Sequence, residues 1–91
     1  MVRVFVLYEQ EPAPARYERH IELCRKVPNA VFRHGRVTRT LLGNEVAYYA
    51  EFEFPDRDTF TTAAATDEFR ATGADAADMG YPHSVHVADV G

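Results

Sequence analysis

The sequence has a single cysteine, Cys24, in 91 residues, so no disulfide can form within the chain, and the fold must rest on packing. With no secretory leader pattern at its start, this leads us to expect a reducing, cytoplasmic setting. Long apolar runs are missing too. The opening stretch Met1-Val2-Arg3-Val4-Phe5-Val6-Leu7-Tyr8 is interrupted by a charge and falls far short of the roughly 20 residues needed to cross a bilayer, so no membrane partner is expected. Basic charge is scarce: 10 Lys and Arg face 14 Asp and Glu, a formal net charge of −4. That balance argues against a phosphate-binding surface and against nucleic acid as a partner. There is no Gly-rich phosphate loop, no G-x-S-x-G, no C-x-x-C and no H-x-x-x-H, so no cofactor and no metal is expected.

What remains is ordinary globular material, 46% hydrophobic and 26% charged, enough for one domain spanning residues 1–91. Residues 3–8 are β-branched and aromatic on both alternating faces, the pattern of a central strand covered on two sides. Pro12 and Pro14 stop it. Residues 15–27 carry Tyr17, His20, Ile21, Cys24 and Val27 at three- and four-residue steps, the inner stripe of a helix that Pro28 ends. Residues 30–42 and 45–54 read as two strands around Gly43-Asn44, a two-residue hairpin signal. A tight turn there sets Arg36 opposite Glu51 and His34 opposite Glu53 on a polar face, and Val37 opposite Ala50 on an apolar one. Pro55-Asp56 then leads into a short helical segment, 57–64. Thr66 is placed to cap a second, 67–79, with Asp67 and Glu68 at its positive end and Gly80 just past its close. Residues 84–90 make a last alternating strand.

The order β-α-β-β-α-β is the split βαβ pattern of an α+β, ferredoxin-like sandwich, a four-stranded antiparallel sheet with helices on one face. A first strand apolar on both sides then calls for something over the bare face, most economically a second copy of the chain. We therefore expect a homodimer.

At this level the chain resembles the EthD family of the dimeric α+β barrel superfamily. The residues that carry the resemblance are Val4-Phe5-Val6-Leu7-Tyr8 before a proline-containing loop, Tyr17-Glu18-Arg19-His20, Arg25-Lys26-Val27-Pro28-Asn29, Ala50-Glu51-Phe52-Glu53-Phe54, and Met79-Gly80 ahead of an apolar last strand. Together they span essentially the whole chain. The resemblance implies a dimer whose sheets face each other to form a barrel, with a helix–sheet cleft in each subunit for a small hydrophobic or aromatic molecule. Relatives in that superfamily include isomerases, polyketide cyclases and oxygenases that need no cofactor. The chain departs from the family pattern in offering one histidine on the first helix, Glu22-Leu23 in place of a Pro-Leu pair, and Asn29 in place of a glycine.

The candidate site follows from these readings. His20 sits on the inward stripe where an apolar side chain is the default, and its near-neutral pKa suits proton transfer. The aromatic and apolar residues Tyr17, Tyr48, Phe52, Phe54, Phe69 and Met79, with Cys24, are placed to wall a pocket for a flat ligand. The small side chains at 61–65 and 71–77 leave space for one. Glu51 and Glu53 read better as ion-pair partners than as an acid/base pair. His83 and His86 lack a metal-binding spacing. A catalytic small-molecule protein and a non-catalytic ligand-binding or accessory dimerisation module are the two functions this pattern accommodates.

Overall fold

The computed structural model describes residues Met1–Gly91. Strand β1 (Val2–Tyr8) is followed by α1 (Pro14–Cys24), β2 (Val31–Arg36), β3 (Tyr48–Phe54), α2 (Arg57–Ala64), α3 (Asp67–Met79) and β4 (His83–Asp89). The four strands form one sheet in the order β2-β3-β1-β4, antiparallel throughout. The two long chain-order neighbours on either side of α1 are thus separated by β3, as the split βαβ pattern requires.

Alternation decides which face the helices cover. Val2, Val4, Val6 and Tyr8 of β1 are buried and stand opposite Phe54, Phe52, Ala50 and Tyr48 of β3. On α1 the buried residues are Tyr17, His20 and Cys24, at steps of three and four, so one helical stripe closes over these strands. Pro14 occupies the first turn, where its missing N–H costs nothing. The Asp56 side chain accepts from the Thr59 N–H at 2.7 Å to start α2. Thr66 accepts from the Phe69 N–H at 3.2 Å to start α3, and Gly80 closes that helix at φ 75°, the left-handed region. The caps expected from the sequence are therefore the ones used.

The hairpin register differs from expectation. Beyond Val37, whose N–H bonds the Ala47 carbonyl at 2.9 Å, the chain opens into an irregular connection, and β3 begins only at Tyr48. Glu51 lies opposite Arg33 rather than Arg36, a slip of three positions, and Ala50 lies opposite His34. An odd slip exchanges the faces of the whole strand. His34 and Arg36 thus turn to the helix side, while Arg33 reaches Glu51 at 3.3 Å and Glu53 at 3.2 Å on the other. Arg36 pairs instead with Glu11, its Nε donating at 3.1 Å. The reason is burial. The observed register packs Phe32 against Phe52, ring centroids 5.0 Å apart and the planes tilted by 48°, and leaves the Arg33 side chain half-exposed; the expected one turns Arg33 to the helix side and Phe32 away from it. Phe32 is partly buried and so gains part of the roughly 1.5–3 kcal/mol of a fully buried phenylalanine, while the charge pairing is kept, because Arg33 meets both Glu51 and Glu53.

The sheet face away from the helices carries Phe5 and Leu7 beside an ion cluster in which Arg3 meets Glu53 at 3.0 Å. At Gly35 a Cβ would come 3.0 Å from Cε1 of Tyr49, its cross-strand partner, so a larger residue there must push the tyrosine ring aside. No helix in the molecule is long and apolar enough to cross a membrane.

Between α1 and β2, Asn29 holds φ 59°. Asparagine tolerates the left-handed region better than most residues, and glycine better still. Asn29→Ala is accordingly expected to cost about 1 kcal/mol and Asn29→Gly a few tenths at most, read as shifts in the urea midpoint. Equal midpoints for the two variants would contradict it.

Candidate functional site

The helices do not cover the sheet evenly. Val85 and Val87 of β4 face the helix side, opposite Val6 and Val4, yet remain 57% and 53% exposed. Beside them, between α3 and the β1–β4 half of the sheet, lies a cavity of about 210 Å³. Past Phe69, the stretch of α3 that crosses it presents Thr72, Gly73 and Ala76, and a Cβ built on Gly73 meets nothing within 4 Å. Small side chains make the space. The floor is Val4, Val6, Ala50 and Phe52, so the cavity is mainly apolar.

Its polar groups come from three elements. His20 of α1 borders it and is 3% exposed. The His20 Nδ1 lies 2.8 Å from Oδ2 of Asp75 on α3. Asp75 is itself gripped by Arg16, Nη2 donating to Oδ1 at 2.7 Å and Nη1 to Oδ2 at 3.1 Å. The guanidinium holds the Asp75 carboxyl below its ordinary range. Burial lowers the pKa of His20, outweighing the opposing pull of Asp75. An ionised carboxylate only accepts, so the neutral imidazole carries its proton on Nδ1 and donates it to Asp75. Nε2 then keeps its lone pair, and the ring's one side-chain hydrogen bond is the one through Nδ1.

Tyr8 of β1 borders the same cavity. It is fully buried, and its hydroxyl has no hydrogen-bond partner. Burial, reinforced by Cys24 and Asp75, pushes that hydroxyl up to about 12, which keeps it a neutral donor. The Tyr8 ring packs edge-on against Tyr17 at 5.9 Å and tilts over His83 at 5.6 Å. Cys24 completes the wall; burial raises its thiol to about 12, so it is a small packing group and not a thiolate.

Of the residues expected at a ligand site, the structure brings His20, Cys24, Phe52 and Phe69 to the cavity wall. Tyr17 and Tyr48 stand behind it, packed on each other at 5.0 Å, with Tyr48 Oη 3.0 Å from Nδ1 of His34. Phe54 lies deeper, fully buried against Phe60 at 5.4 Å. Met79 packs on the Tyr8–Tyr17 cluster near the end of α3. His83 borders the cavity, whereas His86 projects from β4 alongside Phe5 of β1 on the opposite face.

Sequence reasoning missed Tyr8, Asp75 and Arg16. The alternation of β1 already placed Tyr8 on a face shared with Val4 and Val6. Asp75 had no such signal, because an aspartate on a helix also rich in Asp67 and Asp78 reads as solvated surface until the packing of α3 on α1 is known.

An antiparallel sheet of this strand order with its helices on one face defines the ferredoxin-like α+β class. Within that class the chain is similar to an ethyl tert-butyl ether degradation (EthD) family protein of Bacillus halodurans, with a TM-score of 0.81, 24% identity, and coverage of 99% of this chain and 98% of that one. The resemblance seen in the sequence is thus matched in the fold. A dimeric ferredoxin-like protein of unknown function from Jannaschia sp. aligns with a TM-score of 0.75 at 16% identity over 98% of each chain. SnoaB, a cofactor-independent oxygenase from Streptomyces nogalater, aligns at 0.61 and 19% identity, over 98% of this chain and 91% of that one. No family model matches the sequence, and no curated protein does.

Proposed function

We propose that this chain is an EthD-like cytoplasmic homodimer that binds a small hydrophobic or aromatic molecule in the cavity between α3 and the β1–β4 half of the sheet. The observation that carries this reading is the pairing of an apolar cavity with one buried, neutral base: His20, oriented by Asp75. A volume of about 210 Å³ holds a single substituted ring, since a dry cavity of roughly 150 Å³ takes benzene. A lone neutral base in such surroundings suits a proton transfer that opens an isomerisation, a cyclisation or a cofactor-independent oxygenation. The similarity to SnoaB supports the last of these. The dimer is supported by the bare sheet face, where Phe5 and Leu7 lie unroofed beside a nearly buried Glu51, and by the dimeric relative.

Titration with toluene tests the cavity. The amide resonances of Thr72, Gly73 and Ala76 are expected to shift and the melting temperature to rise, and Gly73→Leu, which fills the space, is expected to abolish both without unfolding the protein. No shift at saturating toluene rejects the cavity as a ligand site. Light scattering is expected to give twice the chain mass at micromolar protein, and a persistent monomer rejects the dimer. Ligand binding with no turnover that depends on His20 leaves a non-catalytic binding module.

A further inference from the structure

Arg16 and His20 stand one turn apart on α1, so both side chains leave the same face of the helix and meet one carboxylate, that of Asp75 on α3. The contacts divide unequally. Arg16 takes both oxygens, Nη2 donating to Oδ1 at 2.7 Å and Nη1 to Oδ2 at 3.1 Å. His20 Nδ1 donates to Oδ2 alone, at 2.8 Å. The guanidinium fork thus holds the carboxylate in one orientation, and the imidazole aligns on an oxygen whose position Arg16 sets.

Charge matters here as much as orientation. A carboxylate with no other partner draws a second proton onto a neighbouring imidazole, and an imidazolium has no lone pair with which to act as a base. In this structure the charge of Asp75 is already met by Arg16. The other contact of Arg16, with Asp78 Oδ2 at 3.2 Å, is to a side chain 81% exposed and is weakened by water. A further proton on His20, which is buried, would leave the three side chains with a net positive charge away from solvent. The remaining groups around the imidazole do not supply this balance. Cys24 on α1 and Tyr8 on β1, both pushed up to about 12, and Tyr17, also raised, stay neutral near pH 7. His83 on β4 can add only positive charge.

We infer that Arg16 is the positioning residue of the His20 base: it fixes Asp75 so that the carboxylate orients the imidazole, while the guanidinium charge keeps that imidazole neutral. The inference rests on His20 serving as a base at the cavity.

The test follows the His20 ring nitrogens by resonance in protein labelled with nitrogen-15 histidine, as pH is varied with no ligand present. In the parent the proton is expected on Nδ1 and the midpoint below the ordinary 6.5. Arg16→Gln keeps an amide donor for Asp75 and removes the charge. Its His20 midpoint is expected to rise by about one pH unit, tenfold in proton affinity. Arg16→Lys restores the charge and is expected to bring the midpoint back close to the parent's. A guanidinium that only ties α1 to α3 would lower the urea midpoint of both variants and leave the His20 titration unmoved, and that result overturns the inference. A lysine variant that titrates like the glutamine one overturns the part played by charge. A parent midpoint above 6.5 overturns the inference without any variant. Toluene binding, measured on the same samples, is read separately: its absence rejects the cavity as a ligand site, while the His20 shifts still decide the role of Arg16.

Discussion

Phe54→Ala is expected to remove about 3–5 kcal/mol of stability, the range for truncating a fully buried phenylalanine. Phe54 has no exposed surface. It closes the end of the sheet where β3 pairs with Val2 of β1, and Phe60 of α2 packs across it at 5.4 Å. The residues around it, among them Val27 and Ala63, come from three elements that cannot all move inward to fill the hole. Small domains are stable by only about 5–15 kcal/mol, so the loss consumes a large share of what this one has. The measurement is the urea midpoint at fixed slope. A cost below about 1 kcal/mol would show that Phe54 faces space and not core. Because Phe54 lies outside the cavity wall, the folded fraction of the variant is expected to bind toluene as the parent does.

Phe54 also shows what periodicity can and cannot tell. Alternation correctly places Tyr48, Ala50, Phe52 and Phe54 on one face under the helices, but it is silent on depth. Phe52 reaches the cavity and Phe54, one repeat further, is sealed in the core, because α2 covers one end of the strand and nothing covers the β4 edge at the other. Element order and caps were legible because each is set by local chemistry: prolines at 12 and 55 after strands, Thr66 and Gly80 at the ends of α3; α1 closes at Cys24, three residues before the Val27 that Pro28 suggested. The β2–β3 register was not. Gly43-Asn44 does form a bend, with Gly43 at φ 93°, yet the ladder resumes only near Val37 and Ala47, and the pairing of Glu51 and Glu53 passes from Arg36 and His34 to Arg33 as Phe32 packs against Phe52. Asp75 was hidden for a related reason. Its role depends on α3 lying against α1, a contact between segments separated by the whole hairpin.

The heaviest functional consequence falls on His20. His20→Gln is expected to keep the fold, since the Gln amide can still donate to Asp75, and to lower any turnover by about 10²–10⁴, the usual worth of a positioned general base. The pH dependence separates catalysis from packing. Burial holds the folded pKa of His20 below its ordinary 6.5, so between the two values the unfolded chain binds a proton that the folded one does not. Stability from this group is complete above pH 6.5 and declines as the pH falls below it, by at most about 1.4 kcal/mol per pH unit for one proton. Asp75 and Arg16 face His20 directly, and His83 acts on it from β4. Arg16 keeps its charge throughout. Asp75, held below its ordinary 3.8, loses its contribution only in stronger acid, and His83 is present in both proteins. The difference between parent and His20→Gln therefore isolates the one imidazole. Parent turnover is expected to fall on the acid side as Nε2 takes up a proton, and the variant's residual rate to be flat there. Urea midpoints at pH 7.5 and 5.5 should diverge for the parent more than for the variant. Parallel stability curves would remove the buried neutral imidazole, and an acid limb surviving in the variant would assign the proton transfer to another group.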